Sequence, residues 1–141
     1  MKITTELDAL HLVPSETKPT VNVRMTIAND SNRDIVLCFN SGQHFDIILR
    51  SAEGDEIRRW SDDMMFMQML NETIISPNSS ESFAGDLLLL DRQERPLPIG
   101  SYLLEFELKG SPAPEAGAFQ PLKIRTILPL FIDRQVHGNH P

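Results

Sequence analysis

Three residue types of a hydrolase triad, serine, histidine and aspartate, occur close together as Ser41, His44 and Asp46. In an extended chain His44 and Asp46 point to one face and Ser41 points to the other. A nucleophile, a base and an orienting carboxylate would therefore not meet, and the spacing argues against a triad. Cys38 alternates with Val36 in an apolar stretch, which predicts a small core residue rather than a reactive thiolate. These patterns predict a protein that is not an enzyme.

Metal and cofactor chemistry has equally little support. His137 and His140 are three positions apart, but no cysteine and no third ligand accompanies them. No glycine-rich phosphate loop follows any predicted strand. We therefore predict no metal site and no cofactor.

Protein recognition is the chemistry that one stretch of the sequence does favour. Four of the six methionines lie between Met64 and Met69, directly after the single tryptophan, Trp60. Methionine-rich surfaces repack around varied partners, and tryptophan and arginine are enriched at binding hot spots. We predict partner contacts from seven residues here: Arg58, Arg59, Trp60, Met64, Met65, Phe66 and Met67. The alternative is that Trp60 and Phe66, with Met64 as a further candidate, close one end of the fold as core residues, and the pattern does not separate these two interpretations.

Strand-type alternation dominates the segments that must position this stretch. Apolar residues occupy every second position from Val21 to Ile27 and from Tyr102 to Leu108, which predicts strands with one buried face. The segment from Ile35 to Asn40 is apolar on both faces, which predicts a central strand covered on both sides. Residues 61–70 lose the alternation and predict a helical turn that Ser61 or Asp62 would cap.

The number of strands and the spacing of turns predict the fold class. Roughly seven to nine short strands, with turn signals about every 8–12 residues, favour an all-β, immunoglobulin-like antiparallel β-sandwich. Tyr102 follows a Pro98–Gly100 corner at the start of a strand, so its hydroxyl is expected to bond back to the corner backbone. We predict a single domain over residues 1–133 and a flexible C-terminal tail over residues 134–141.

Composition excludes several other classes of function. The 141 residues carry a net charge of −7, which argues against a nucleic-acid binder because phosphate contacts need clustered lysine and arginine. No apolar run approaches the ~20 residues of a membrane helix. The N-terminus shows no secretory signal, and a single cysteine fits a reducing compartment. We expect a cytoplasmic protein that does not bind membranes.

The stretch around the methionines also resembles a known family. The run Ser41-Gly42-Gln43, Phe45-Asp46, Arg59-Trp60-Ser61 and Phe66 with Gln68 is similar to the signature of the BsuPI-type intracellular proteinase inhibitors, and Pro98, Gly100 and Tyr102 match the same pattern. Phe45 replaces the family's usual tyrosine, Arg58 stands where a bulky apolar residue is common, and Met67 replaces a small polar residue. The resemblance implies a cytosolic β-sandwich that binds a serine protease of subtilisin type without covalent chemistry.

Inhibition would need one side chain to enter the specificity pocket of the protease. An apolar pocket would accept Met64, Met65, Met67 or Leu70, whereas a trypsin-like pocket would take Arg58 or Arg59. The alternative function is a non-enzymatic structural or adaptor sandwich that binds another protein or its own copy through an edge strand. The sequence does not predict an oligomeric state.

Overall fold

The computed structural model describes residues 2–7, 19–112 and 124–132. The predicted tail over residues 134–141, with His137 and His140, lies outside them. Ten strands and one short 3-10 helix occur in the described residues, in this order: β1 (Lys2–Leu7), β2 (Thr20–Ala28), β3 (Ile35–Phe39), β4 (Phe45–Ser51), β5 (Glu56–Arg59), the 3-10 helix (Trp60–Asp63), β6 (Asn71–Ile75), β7 (Ser80–Leu88), β8 (Gly100–Leu108), β9 (Ser111–Pro112) and β10 (Arg125–Ile132).

The strands form three antiparallel sheets. The first has the order β1–β2–β7, the second β10–β8–β4–β5 and the third β6–β3–β9. This confirms the prediction of an all-β, antiparallel, sandwich-like fold. The immunoglobulin-like topology and the 1–133 domain boundary stay predictions. In the described residues the 3-10 helix spans four residues, and no helix has the length and apolar character needed to cross a membrane.

One apolar core lies between the sheets. The alternation predicted for β2 is confirmed, because Val21, Val23, Met25 and Ile27 are all fully buried. They pack in one cluster with inward-facing residues of β3, β4, β7, β8 and β10. The predicted corner is confirmed as well, since the Tyr102 hydroxyl donates a hydrogen bond to the Pro98 carbonyl.

Two expectations about strand faces were wrong. β3 is central in the third sheet, but only its Leu37 and Phe39 side is buried; Cys38 is exposed and is not a core residue. The strand with two covered faces is β4, in which Asp46 and Ile48 are as buried as the apolar residues beside them. Alternation records which residues share a face, but a segment distant in sequence decides whether that face is covered.

Asn29 joins the first sheet to the third. Its backbone N–H donates to the Ser79 carbonyl and its own carbonyl accepts from Asn78, both at 2.8 Å. Its buried side-chain amide donates to the Ile75 carbonyl at 2.8 Å. The turns between β2 and β3 and between β6 and β7 therefore lie side by side, which fixes the position of β6 and of the segment that enters it.

Candidate functional site

The predicted recognition stretch is the crossover between two sheets. β5 is an edge strand of the second sheet and β6 is an edge strand of the third, so the chain between them must leave one layer and enter the other. The crossover starts with the 3-10 helix and continues as residues 64–70, which have neither helical nor strand pairing. We refer to residues 64–70 as the Met segment. The helix begins at Trp60 and its N-cap is Arg59, so the prediction that Ser61 or Asp62 would be the cap was wrong.

The Met segment exposes an apolar surface. Met65 is 97% exposed, Leu70 86% and Met67 73%, whereas Met64 and Met69 are 42% and 50% exposed. Large apolar side chains in water are unfavourable unless a partner covers them, and contiguous exposed apolar patches commonly mark interaction sites.

Stacked aromatic rings support the start of the crossover. The Trp60 indole lies on the Phe45 ring with a centroid distance of 4.3 Å, and Phe45 in turn stacks on buried Phe106 at 5.0 Å. Phe66, half-buried, reaches back to Trp60 at 6.0 Å. Gly85 of β7 permits this approach, since a Cβ there would lie 3.0 Å from both the Phe45 ring and the Trp60 Nε1.

A buried carboxylate fixes the same end of the crossover. Asp46 is 1% exposed, and its oxygens accept hydrogen bonds from the Ser61 N–H at 3.1 Å and the Ser61 hydroxyl at 2.6 Å. The Arg59 Nη1 lies 3.2 Å from the Asp46 Oδ2, which supplies the opposite charge that a buried carboxylate needs. Asp46 thereby ties the first turn of the 3-10 helix to β4.

Four charged side chains form a cluster near the start of the 3-10 helix: Glu56, Arg59, Asp62 and Arg92. Arg59 forms two hydrogen bonds to the Glu56 carboxylate, at 2.8 and 2.9 Å. Arg92, from the loop after β7, donates to Glu56 at 2.6 Å and to both oxygens of Asp62 at 3.0 and 3.1 Å. The fork-shaped guanidinium suits such paired contacts. Arg92 thus links β5, the 3-10 helix and the loop after β7.

The contacts within this charged cluster shift the pKa values of its members. Hydrogen bonds from Arg59, and then from Arg92, lower the pKa of Glu56 to about 2. For Asp62, partial burial opposes the charged form, but the hydrogen bonds from Arg92 and from the Arg59 N–H lower its pKa overall. The hydrogen bonds to Asp62 and Glu56 raise the pKa of Arg92. Both carboxylates are therefore charged across the physiological range.

The other end of the Met segment is fixed by polar contacts to the Ser41–Gln43 turn. The Gly42 N–H donates to the Met67 carbonyl at 2.7 Å. The Asn71 amide nitrogen donates to the carbonyls of Ser41 and Met69, at 2.9 and 3.1 Å. Because that nitrogen is occupied, the Asn71 Oδ1 faces His44, whose Nε2 is 2.7 Å away and donates the proton.

The three triad residue types serve separate structural contacts. His44 bonds to Asn71 and stacks on Phe39 with a centroid distance of 4.2 Å. Asp46 binds Ser61 and Arg59, and the Ser41 hydroxyl accepts from the Gln43 N–H at 3.0 Å. In the part of the chain that the structure describes, no three histidine, cysteine, aspartate or glutamate side chains are grouped so as to hold a metal ion.

The structure gives the seven predicted contact residues different environments. Met64, Met65 and Met67 are exposed, whereas Trp60 and Phe66 are partly buried. Arg59 lies in the charged cluster, and Arg58 is 6% exposed, with its guanidinium donating to the Leu90 and Asp91 carbonyls at 3.1 and 3.0 Å.

Sequence reasoning missed two parts of the supporting structure. It assigned no role to Arg92, which contacts Asp62 although the two residues are thirty positions apart, so that no local spacing connects them. It also treated Asp46 as one half of a motif and did not predict its burial. The pairing of Asp46 with Arg59-Trp60-Ser61 in the resemblance was the signal that linked these positions.

The solved structures that match this chain include two of low sequence identity. An X-ray structure of a Northeast Structural Genomics Consortium target is 14% identical with a TM-score of 0.45, and the alignment covers 99% of this chain and 91% of the other. A crystal structure of a protein assigned as ApaA from Bordetella pertussis is 14% identical with a TM-score of 0.47, covering 94% and 95%. Neither similarity is high enough to carry an argument. No curated protein matches the chain.

A family model gives a different result. The model of BsuPI, described as intracellular proteinase inhibitor, matches residues 9–113, about three-quarters of the chain. The matched range includes the Ser41–Gln43 turn, the buried Asp46, the Trp60 stack and the Met segment. These residues contact one another in the structure, so the signature follows a physical unit. The chain belongs to the BsuPI family of intracellular proteinase inhibitors.

Proposed function

We propose that this protein is a cytosolic inhibitor that binds a serine protease of subtilisin type, without covalent chemistry, through the Met segment. One observation carries the proposal: the most exposed apolar side chains of the crossover, Met65, Met67 and Leu70, lie on a chain that is fixed at both ends. Membership of the BsuPI family supports a protease as the partner.

Rigidity is what the supporting contacts contribute. An inhibitory segment that is ordered before binding loses less conformational entropy in the complex. Small secreted inhibitors obtain this order from disulfides, but a chain with a single cysteine has no internal disulfide. Here the Asp46 carboxylate, the Trp60 stack and the Gly42–Met67 hydrogen bond take that role.

The seven predicted contact residues have different parts in the proposal. Met64, Met65 and Met67 touch the protease, and Phe66 and Trp60 support the chain beneath them. Arg59 forms ion pairs with Asp46 and Glu56, so it supports the contact surface without touching the protease. Arg58 holds the loop after β7 through two carbonyls, and we leave it out of the contact surface.

One observation favours the alternative of an adaptor or self-associating sandwich. β10 is an edge strand of the second sheet, and its Ile127 and Phe131 are 53% and 59% exposed. Pro129 lies between them and has no N–H to offer an added strand, and prolines on edges oppose strand addition. The Met segment is therefore the better supported surface.

The test is inhibition of subtilisin by the purified protein. We expect loss of peptidase activity near a one-to-one ratio, and relief of inhibition in a Met65→Ser, Met67→Ser, Leu70→Ser variant. The matched control replaces the exposed apolar residues of β10, Ile127→Ser with Phe131→Ser, and should inhibit like the wild type.

Two results would contradict the proposal. One is rapid digestion of the wild type with subtilisin activity unaffected. The other is equal inhibition by the wild type and the triple variant, which would place the contact elsewhere. If the β10 variant alone changed sedimentation behaviour while subtilisin was unaffected, the self-associating alternative would be supported instead.

A further inference from the structure

We propose that Met65 is the specificity-determining residue, the side chain that enters the main substrate pocket of the protease. This inference rests on the proposed function and names one residue within the proposed surface. Inhibitors that add an extended segment to a protease place one side chain in that pocket, so the residue must project fully and its backbone must hold position.

Exposure is the first argument for Met65. At 97% exposed it is more accessible than Met67 at 73%, and about half of the Met64 and Met69 side chains is covered. A side chain that the protein itself leaves in water can be buried completely by a partner. Such complete burial at the centre of an interface is typical of hot-spot residues.

Backbone restraint on both sides of Met65 is the second argument. On one side the Met64 N–H donates to the Ser61 carbonyl at 3.0 Å, and Ser61 is itself bound to buried Asp46. On the other side Phe66 contacts the Trp60 ring, and the Met67 carbonyl accepts from the Gly42 N–H at 2.7 Å. Met65 is thus the projecting residue between two anchored neighbours.

The other exposed residues of the segment suit the pocket less well. The Met67 carbonyl is already bonded to Gly42, although a bound inhibitor segment offers its backbone to the protease. Leu70 is 86% exposed, but the next residue, Asn71, pairs with Phe39 in the third sheet. The chain after Leu70 therefore already belongs to a sheet ladder, whereas the chain on either side of Met65 does not.

The chemistry of the side chain indicates the class of pocket. Methionine is unbranched and apolar, and its flexible thioether adapts to the shape of a deep apolar cavity. A trypsin-like pocket carries a carboxylate at its base and requires lysine or arginine. Met65 therefore predicts a protease that cleaves after large apolar residues.

The experiment measures inhibition constants against subtilisin and trypsin for the wild type, Met65→Ala, Met65→Lys and Leu70→Ala. Met65→Ala should weaken inhibition of subtilisin by about thirtyfold or more, the size expected for loss of a hot spot. Leu70→Ala, the matched control on the same segment, should weaken it by less than about fivefold. The Met65→Lys variant should no longer inhibit subtilisin and should inhibit trypsin measurably.

The outcomes separate this inference from the proposed function. If the wild type inhibits subtilisin and Met65→Ala inhibits equally well, the assignment of Met65 is overturned while the proposed function stands. If Leu70→Ala shows the large loss instead, Leu70 is the pocket residue. If the wild type does not inhibit subtilisin at all, the proposed function fails and the inference fails with it. Thermal unfolding of each variant checks that the fold is unchanged.

Discussion

The two halves of the crossover between β5 and β6 differ in almost every physical respect. Its root, Trp60 and Ser61 together with Arg59 at the end of β5, is held by a carboxylate that is 1% exposed, by stacked rings and by ion pairs. Its tip, around Met65, is apolar and in water. In most of a protein the polar side chains face solvent and the apolar ones are buried. Here that order is inverted, and the buried polar contacts hold the exposed apolar surface in place.

This difference indicates how the crossover divides its tasks. Buried hydrogen bonds to a charged group are directional, so they fix where the chain runs. Exposed apolar side chains add little to the stability of the free protein but supply binding energy when a partner covers them. Substitutions at the root should therefore change stability, and substitutions at the tip should change binding.

The largest effect is expected from removing the carboxylate at the root. Asp46→Ala leaves the Ser61 N–H and the Ser61 hydroxyl without their acceptor and removes one of the two carboxylates that the Arg59 guanidinium binds. We expect the free energy of unfolding to fall by about 3 kcal/mol, measured by urea denaturation. Glu53→Ala, on the exposed β4–β5 turn, is the control and should change it by less than about 0.5 kcal/mol. If both variants lost a similar, small amount of unfolding free energy, Asp46 would not be what holds the root in place.

A smaller effect is expected from crowding the aromatic stack. Gly85→Ala adds a methyl group 3.0 Å from the Phe45 ring and the Trp60 Nε1. The rings must shift, at a cost of about 1–2 kcal/mol, and the fluorescence of Trp60 should change with them. Gly42→Ala is the matched control, because its Cβ would meet the Met67 backbone at an ordinary 3.7 Å. Unchanged emission from Gly85→Ala would mean that the stack tolerates the methyl group.

The acid dependence of stability tests the charged cluster. Arg59 and Arg92 lower the pKa of Glu56 from its ordinary value of 4.5 to about 2. A lowered pKa in the folded state stabilises the protein above pH 4.5, and this contribution is lost as the pH falls from 4.5 towards 2. We expect Glu56→Gln to cost about 1 kcal/mol at pH 7, because solvent screens the pair. The difference in unfolding free energy between the variant and the wild type should disappear by pH 2. A difference that stayed constant with pH would show that Glu56 is not part of the charged cluster.

The smallest effect on stability is expected at the tip. Met65→Ser should change the free energy of unfolding by less than about 0.5 kcal/mol, since its side chain is already in water. Peroxide applied to the folded protein should oxidise Met65 and Met67 first, whereas fully buried Met25 should react only after unfolding. Peptide mass spectrometry gives the order. Oxidation of Met25 at the same rate as Met65 would contradict the inverted arrangement.

Local patterns predicted much of the framework. The alternation of β2 identified its one buried face, and the corner at Pro98 predicted the Tyr102 hydrogen bond, because these features depend on neighbours in sequence. In β8 the predicted apolar face is buried, but Glu105 on the opposite face is buried as well. The pattern failed at Cys38 and at Asp46. Whether the second face of a strand is covered depends on where a distant segment crosses it, and no periodicity encodes that.

The candidate site was predicted only in part, because some of its contacts come from segments distant in sequence. Composition identified the methionines as a surface of adaptable apolar side chains, and the structure exposes them. It did not distinguish Arg58, which bonds to the Leu90 and Asp91 carbonyls, from the exposed residues nearby. A buried arginine and a surface arginine have the same sequence signature, and only the carbonyls brought by the loop after β7 separate them.

The exposed thiol of Cys38 has a practical consequence. On β3 it pairs across the ladder with Glu72 of β6, two positions after the Met segment ends. A maleimide dye would react at this single cysteine and report from beside the crossover, with every residue of the crossover left intact. Without a reductant, the same thiol would be free to couple two molecules into a disulfide-linked pair during storage.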